Sequence, residues 1–211
     1  MKKNTRLAAR IAGVLAGVFL LGLGQSLLIC TDLGIDPMGS LTLRLAELTG
    51  ISYGTCMLLE NLVLLLGEVI FARGMIGIGT LCNMTIVGYV SGYFTPVWQA
   101  VPLFQEMDLP RRLAVLAVGL AVFIFAAAIY MAADLGLGAY DWPAVWIARR
   151  SPRLSFRAVR MLWDAGFSLA ALLLGGRIGI VTVGIVLGLG PVVGAFGNWL
   201  AKKIYGVETL G

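Results

Sequence analysis

The sequence predicts an all-α integral membrane protein, with six transmembrane helices forming two inverted-topology three-helix repeats, each carrying a short re-entrant or interfacial helix. Three observations carry that expectation. Hydrophobic residues make up 59% of the chain and charged residues 13%, about half the charged share of a soluble domain. Six apolar stretches are long enough to span a hydrocarbon core about 30 Å thick. Finally, uncommon residue combinations recur at one fixed offset.

The six spans fall at Ile11–Cys30, Tyr53–Ala72, Ile76–Val97, Leu113–Ala133, Ala158–Leu174 and Ile178–Leu200. The first is longer than the ~7–15 apolar residues of a signal-peptide core and lacks a clear small-residue cleavage site, so no cleaved leader is expected. Met38–Leu48 lies between the first two spans and Tyr140–Ala148 between the fourth and fifth. Ten or so helical residues rise only ~15 Å, too little to cross. The chain has 28 glycines, which suits helices that pack closely in lipid.

The 16 basic residues orient the molecule. With a cytoplasmic N-terminus, the inside carries Lys2, Lys3, Arg6, Arg10, Arg73, Arg149, Arg150, Arg153, Arg157, Arg160, Lys202 and Lys203. The outside keeps Arg44, Arg111, Arg112 and Arg177, a bias of twelve to four. Both termini are therefore expected in the cytoplasm of a bacterial inner-membrane protein.

Asp32-Leu33-Gly34 recurs as Asp134-Leu135-Gly136, an offset of 102. Ile76-Gly77-Ile78 and Thr80 recur as Ile178-Gly179-Ile180 and Thr182, and Gly88, Val90, Gly92 and Phe94 as Gly190, Val192, Gly194 and Phe196. Residues 1–211 thus read as one membrane domain, with a first repeat at 11–97 and a second at 113–200. An odd number of spans per repeat sends the second unit in from the opposite side.

Several of these strings resemble the YczE/YitT-like family of bacterial membrane proteins. They are Leu33-Gly34-Ile35-Asp36-Pro37, Gly50-Ile51-Ser52-Tyr53-Gly54, Gly77-Ile78-Gly79-Thr80, Ala148-Arg149-Arg150 before Leu154-Ser155, and Gly179-Ile180-Val181-Thr182. The resemblance covers nearly the whole chain and departs from the family's pattern at Met38 and Val181. It implies a polytopic membrane protein, loosely associated with transport.

Candidate site residues are the polar groups that lipid would penalise. Asp36-Pro37 and Asp141-Trp142-Pro143 open the two short segments, where an aspartate before proline starts a helix well. Each short segment reads either as an amphipathic helix lying at the interface or as a half-helix whose N-terminus faces a substrate cavity. Glu60, Glu68 and Asp164 fall within spans, where a carboxylate costs at least ~2.5–3.5 kcal/mol. Asp164 can pair with Arg160 at i, i+4, whereas Glu68 is expected to snorkel toward Arg73. Glu60 has no local partner and roughly matches Asp164 in the repeat. Asn61, Thr80, Asn83 and Thr182 complete the candidate substrate-binding set, with interhelical hydrogen bonding as the plainer alternative. Trp98, Trp142, Trp146 and Trp199 read as interfacial anchors.

Histidine is absent, which removes Ser-His-Asp and Cys-His catalysis and histidine-ligated zinc and haem. Cys30, Cys56 and Cys82 form no C-x-x-C pair, and no P-loop is present. No cofactor, metal site or enzymatic activity is expected. The net charge of +5 is dispersed between apolar runs rather than gathered, so no nucleic-acid partner is expected either. The partners this leaves are the lipid bilayer, a small molecule or ion as substrate, and a second copy or another membrane protein. The expected function is a small transporter or permease with its site at the repeat interface. The alternative is a non-transporting accessory factor that assembles or regulates a partner complex.

Overall fold

The computed structural model describes residues 2–151 and 154–187, and they form an all-α fold. Its helices are α1 (Lys2–Thr31), α2 (Pro37–Thr49), α3 (Tyr53–Phe71), α4 (Ile78–Ala100), α5 (Leu109–Ala132), α6 (Trp142–Arg150) and α7 (Phe156–Leu173). Single 3-10 turns follow α3 and α4, and residues 180–187 are again helical.

Local sequence explains most helix starts. Asp36 accepts a hydrogen bond from the Gly39 amide at 2.9 Å, with Pro37 in the first turn, and Gly50 ends α2 at φ 72°. Ser52 and Ser155 cap α3 and α7 in the same way, and Asp108 caps α5 ahead of Pro110. Asp141 is the exception. It precedes α6 but makes no cap hydrogen bond, because its carboxylate is turned to Arg160.

The span count requires correction. Among the described residues three helices, not six, are long and apolar enough to cross a membrane: Leu7–Thr31, Tyr53–Phe71 and Leu109–Ala132. The two inverted repeats of three transmembrane helices are therefore not what the structure supports. The reason is compositional. In α4, Thr80, Asn83, Thr85, Ser91 and Thr95 dilute the apolar residues, and α7 carries Arg157, Arg160 and Asp164 within 18 residues. The sixth expected span, Ile178–Leu200, lies largely outside the described residues, as do Gly190, Gly194 and Trp199.

α1 lies at the centre, 56% buried over its apolar window against 28% for α3 and α5. It packs on α5 and α4, with Gly17 against the Tyr130 backbone, Gly24 against Phe123 and Gly22 against Val87. Val14, Val18, Leu21, Met57, Val87 and Tyr130 form the core around it. On the other side, α3 packs on α4 through Gly88, whose added Cβ would come within 2.9 Å of Met57 Cβ. Gly88→Leu is expected to cost about 1–3 kcal/mol through overpacking, read as a lower melting temperature in detergent. An unchanged melting temperature would show that this contact has slack.

The two short helices share one design. α2 buries Pro37, Met38, Gly39 and Ser40, and α6 buries Trp142, Pro143 and Ala144, while their C-terminal ends reach the exterior. Each enters the fold by its N-terminus rather than lying flat along a surface. Trp142 is accordingly no interfacial anchor. It is buried, and its indole N–H donates to the Leu64 carbonyl at 3.1 Å.

The residues that recur at offset 102 meet each other. The Gly79 amide donates to the Leu135 carbonyl at 2.8 Å, and the Val181 amide to the Leu33 carbonyl at 3.3 Å. Gly34 and Gly136, at φ 112° and 117°, occupy the left-handed turns that make both approaches.

Candidate functional site

A cavity of about 200 Å³ lies where the buried ends of α2 and α6 converge on α1, α3, α4, α5 and α7. Its polar wall includes Gln25, Asp36, Asn61, Asn83, Asp141, Arg160 and Asp164, with Tyr130 and Tyr140 beside them. Its apolar wall includes Leu21, Met38, Met57, Phe123 and Met131.

The polar wall has two centres. At the first, Asp36 accepts from Gln25 Nε2 at 2.7 Å and from the Gly39 amide, so both donors are neutral. Gln25 is 2% exposed, and its Oε1 has no hydrogen-bond partner among the described residues. At the second, Arg160 is shared between two acids. It donates to Asp141 through Nη1, and its Nε lies 3.1 Å from Asp164 Oδ1. The Tyr140 hydroxyl donates to Asp164 at 2.6 Å, and the Arg160 guanidinium sits 4.8 Å from the centre of the Tyr140 ring.

Of the residues singled out from sequence, Asp36, Asn61, Asn83, Asp141 and Asp164 line the cavity. Asn61 is 3% exposed and spends its amide nitrogen on the Met57 carbonyl at 2.9 Å. Glu60, Thr80 and Thr182 are not on the wall. Glu60 accepts from the Thr42 hydroxyl of α2, while its other oxygen has no partner. Thr80 accepts from the Gly77 amide at 3.1 Å and so secures the start of α4. Thr182 is buried beside Gly34 with no partner for its hydroxyl among the described residues.

Glu68 also differs from expectation. It is fully buried with neither carboxylate oxygen hydrogen-bonded among the described residues, and Arg73 turns instead to the Val69 carbonyl. Glu68 is too deep to snorkel.

Sequence reasoning did not place Gln25 or Tyr140 in the site, and it treated Arg160 only as a structural partner. Gln25 had the same signal as Glu60, a polar side chain inside an apolar span. Tyr140 had none, because it borders a short helix among several other aromatic residues.

At opposite ends of α1 stand two further ion clusters. Arg10 lies 3.5 Å from Asp134, while Asp32 lies 3.8 Å from Arg112 and 3.6 Å from Arg177. The 22 residues from Arg10 to Asp32 rise about 33 Å as helix, close to a hydrocarbon thickness.

No solved structure matches the chain. A protein of Haemophilus influenzae, described as an uncharacterized protein, is 29% identical over 193 residues, covering 91% of this chain and 85% of the relative. Residues 8–198 match a family described as a family of unknown function, DUF6198, whereas the YczE/YitT-like strings remain a resemblance. The chain, a helical protein with several candidate membrane-spanning helices, belongs to the DUF6198 family.

Proposed function

We propose that this protein is a small-solute permease of the bacterial inner membrane, and that the cavity is its solute site. The observation that carries this reading is the cavity itself: three carboxylates and an arginine line one pocket between the helices. Buried ionisable groups are costly, and in a membrane protein those that are kept mark substrate or ion pathways. The entry of two short helices by their N-termini adds to this, since helix N-termini among intramembrane polar groups form solute sites in transporters. In this reading the N-terminus is cytoplasmic, and α1, a candidate span, brings Asp32 to the external side. The chain acts without enzymatic turnover.

A second reading, an accessory factor for a partner complex, draws support from one feature. Asp164 is held in an ion pair, as a purely structural charge would be. Flux separates the two. Purified protein in proteoliposomes should carry small charged or amphipathic metabolites inward above protein-free vesicles, and Asp36→Asn should remove most of that flux. A folded parent protein that carries nothing across a broad metabolite panel would leave the accessory reading standing.

A further inference from the structure

We infer that the cavity's solute is a small protonated amine with a short apolar body, docked by its ammonium on Asp36 and Gln25. The inference rests on the permease reading for its biological setting, but its chemistry comes from the wall.

Charge is the first ground. Asp36, Asp141 and Asp164 face one arginine across the cavity, and that arginine is engaged by Asp141 and Asp164 together. Asp36 has no ion-pair partner among the described residues. Its two contacts are the Gln25 amide and the Gly39 backbone N–H, neither of which neutralises a carboxylate. An incoming cation would supply the missing countercharge, and an anion would add to the excess.

Hydrogen bonding is the second ground, and it is independent of charge. An ionised carboxylate only accepts, so Gln25 must turn its nitrogen toward Asp36 and leave its oxygen over. That oxygen, on a side chain 2% exposed and lining the cavity, has no partner among the described residues. Buried acceptors in folded proteins are nearly always satisfied, so this one calls for a donor from a ligand. The donors that already reach Asp36, Gln25 Nε2 and the Gly39 amide, are spent on it, and the nearby Tyr53 hydroxyl, unpartnered among the described residues, is not on the cavity wall. The free capacity at this end is accepting capacity, and an N–H-bearing cation fits it.

Size and wall chemistry limit the rest. About 200 Å³ is below the ~300–1,000 Å³ usual for drug-sized ligands. Leu21, Met38, Met57, Phe123 and Met131 give the solute's carbon chain an apolar wall, and methionine adapts to irregular shapes.

The test measures thermal stabilisation of the full-length protein in nanodiscs by four probes of similar size: n-butylammonium, tetramethylammonium, butyramide and butyrate. Butylammonium should raise the melting temperature saturably. Tetramethylammonium, which has no N–H, and butyramide, which has no charge, should each bind at least tenfold more weakly, and butyrate should have no effect. Asp36→Asn and Gln25→Met should each weaken butylammonium at least tenfold. Asparagine still caps α2, and if that variant nevertheless fails to fold, Gln25→Met decides. Protection by butyrate, equal protection by tetramethylammonium, unweakened binding in the variants, or no protection by any probe overturns the inference. Butylammonium that binds but never enters proteoliposomes would refute the permease reading and leave this assignment intact. Uptake of other solutes without amine binding would do the reverse.

Discussion

Replacing Arg160 with methionine is expected to destabilise the protein by about 3–5 kcal/mol, the cost of removing one side of a buried ion pair. The guanidinium holds Asp141 and Asp164 at once, and all three side chains are less than a third exposed. Methionine fills the same volume and leaves two carboxylates without a cation. Asp164 suffers more, since its side chain is 5% exposed, although the Tyr140 hydroxyl still reaches it. Adding Asp141→Asn and Asp164→Asn to Arg160→Met should recover much of the loss, because the stranded charges disappear. Arg160→Lys should recover less, as an ammonium is a point charge and cannot fork between two acids. Thermal melting in detergent, followed by tryptophan fluorescence, reads all three variants. A methionine variant as stable as its parent would mean that the acids carry protons rather than charge.

A comparable loss is expected from one carbon atom. Gly77→Ala and Gly179→Ala should each cost about 2–4 kcal/mol, from overpacking and from the backbone hydrogen bond it displaces. A Cβ on Gly77 would fall on the Leu135 carbonyl, and one on Gly179 on the Leu33 carbonyl. The obstacle is main chain in both cases, so no rotamer change relieves it. To make room, the loop must withdraw, and the contacts from the Gly79 and Val181 amides weaken with it. Gly74→Ala and Gly184→Ala are the controls. A Cβ at either meets nothing within 4 Å among the described residues, and both variants should melt within a degree or two of the parent. If all four variants behave alike, the two loop-to-helix contacts do not matter to stability.

These contacts show how far the sequence could be followed. Gly77, Gly179, Leu33 and Leu135 stood out because they recur at one offset, and the structure brings the recurring strings together pairwise. Recurrence did not reveal that one string docks on the other. The acids divide in a similar way. Asp164 and Arg160 were legible as a pair because i, i+4 spacing is a property of one helix. Glu60 was read as Asp164's counterpart, yet it turns to Thr42 of α2 while Asp164 lines the cavity. That difference depends on which helix lies alongside. Glu68 was misread for the same reason, since distance along α3 suggested an interface that packing had covered.

The sequence by itself determined what local physics determines. Helix formation depends on neighbours within four residues, so Asp36-Pro37, Ser52, Asp108-Pro110 and Ser155 marked where helices begin, and apolar composition marked a protein built for lipid. Only the tertiary structure decided which polar groups face a common cavity. A hydropathy window averages along one helix and cannot distinguish a face packed on protein from a face in lipid. Gln25 of α1, Asp36 before α2 and Arg160 of α7 share a wall because α1, α2 and α7 pack around one space. That packing brings Gln25 and Arg160 to one wall across more than a hundred residues of chain.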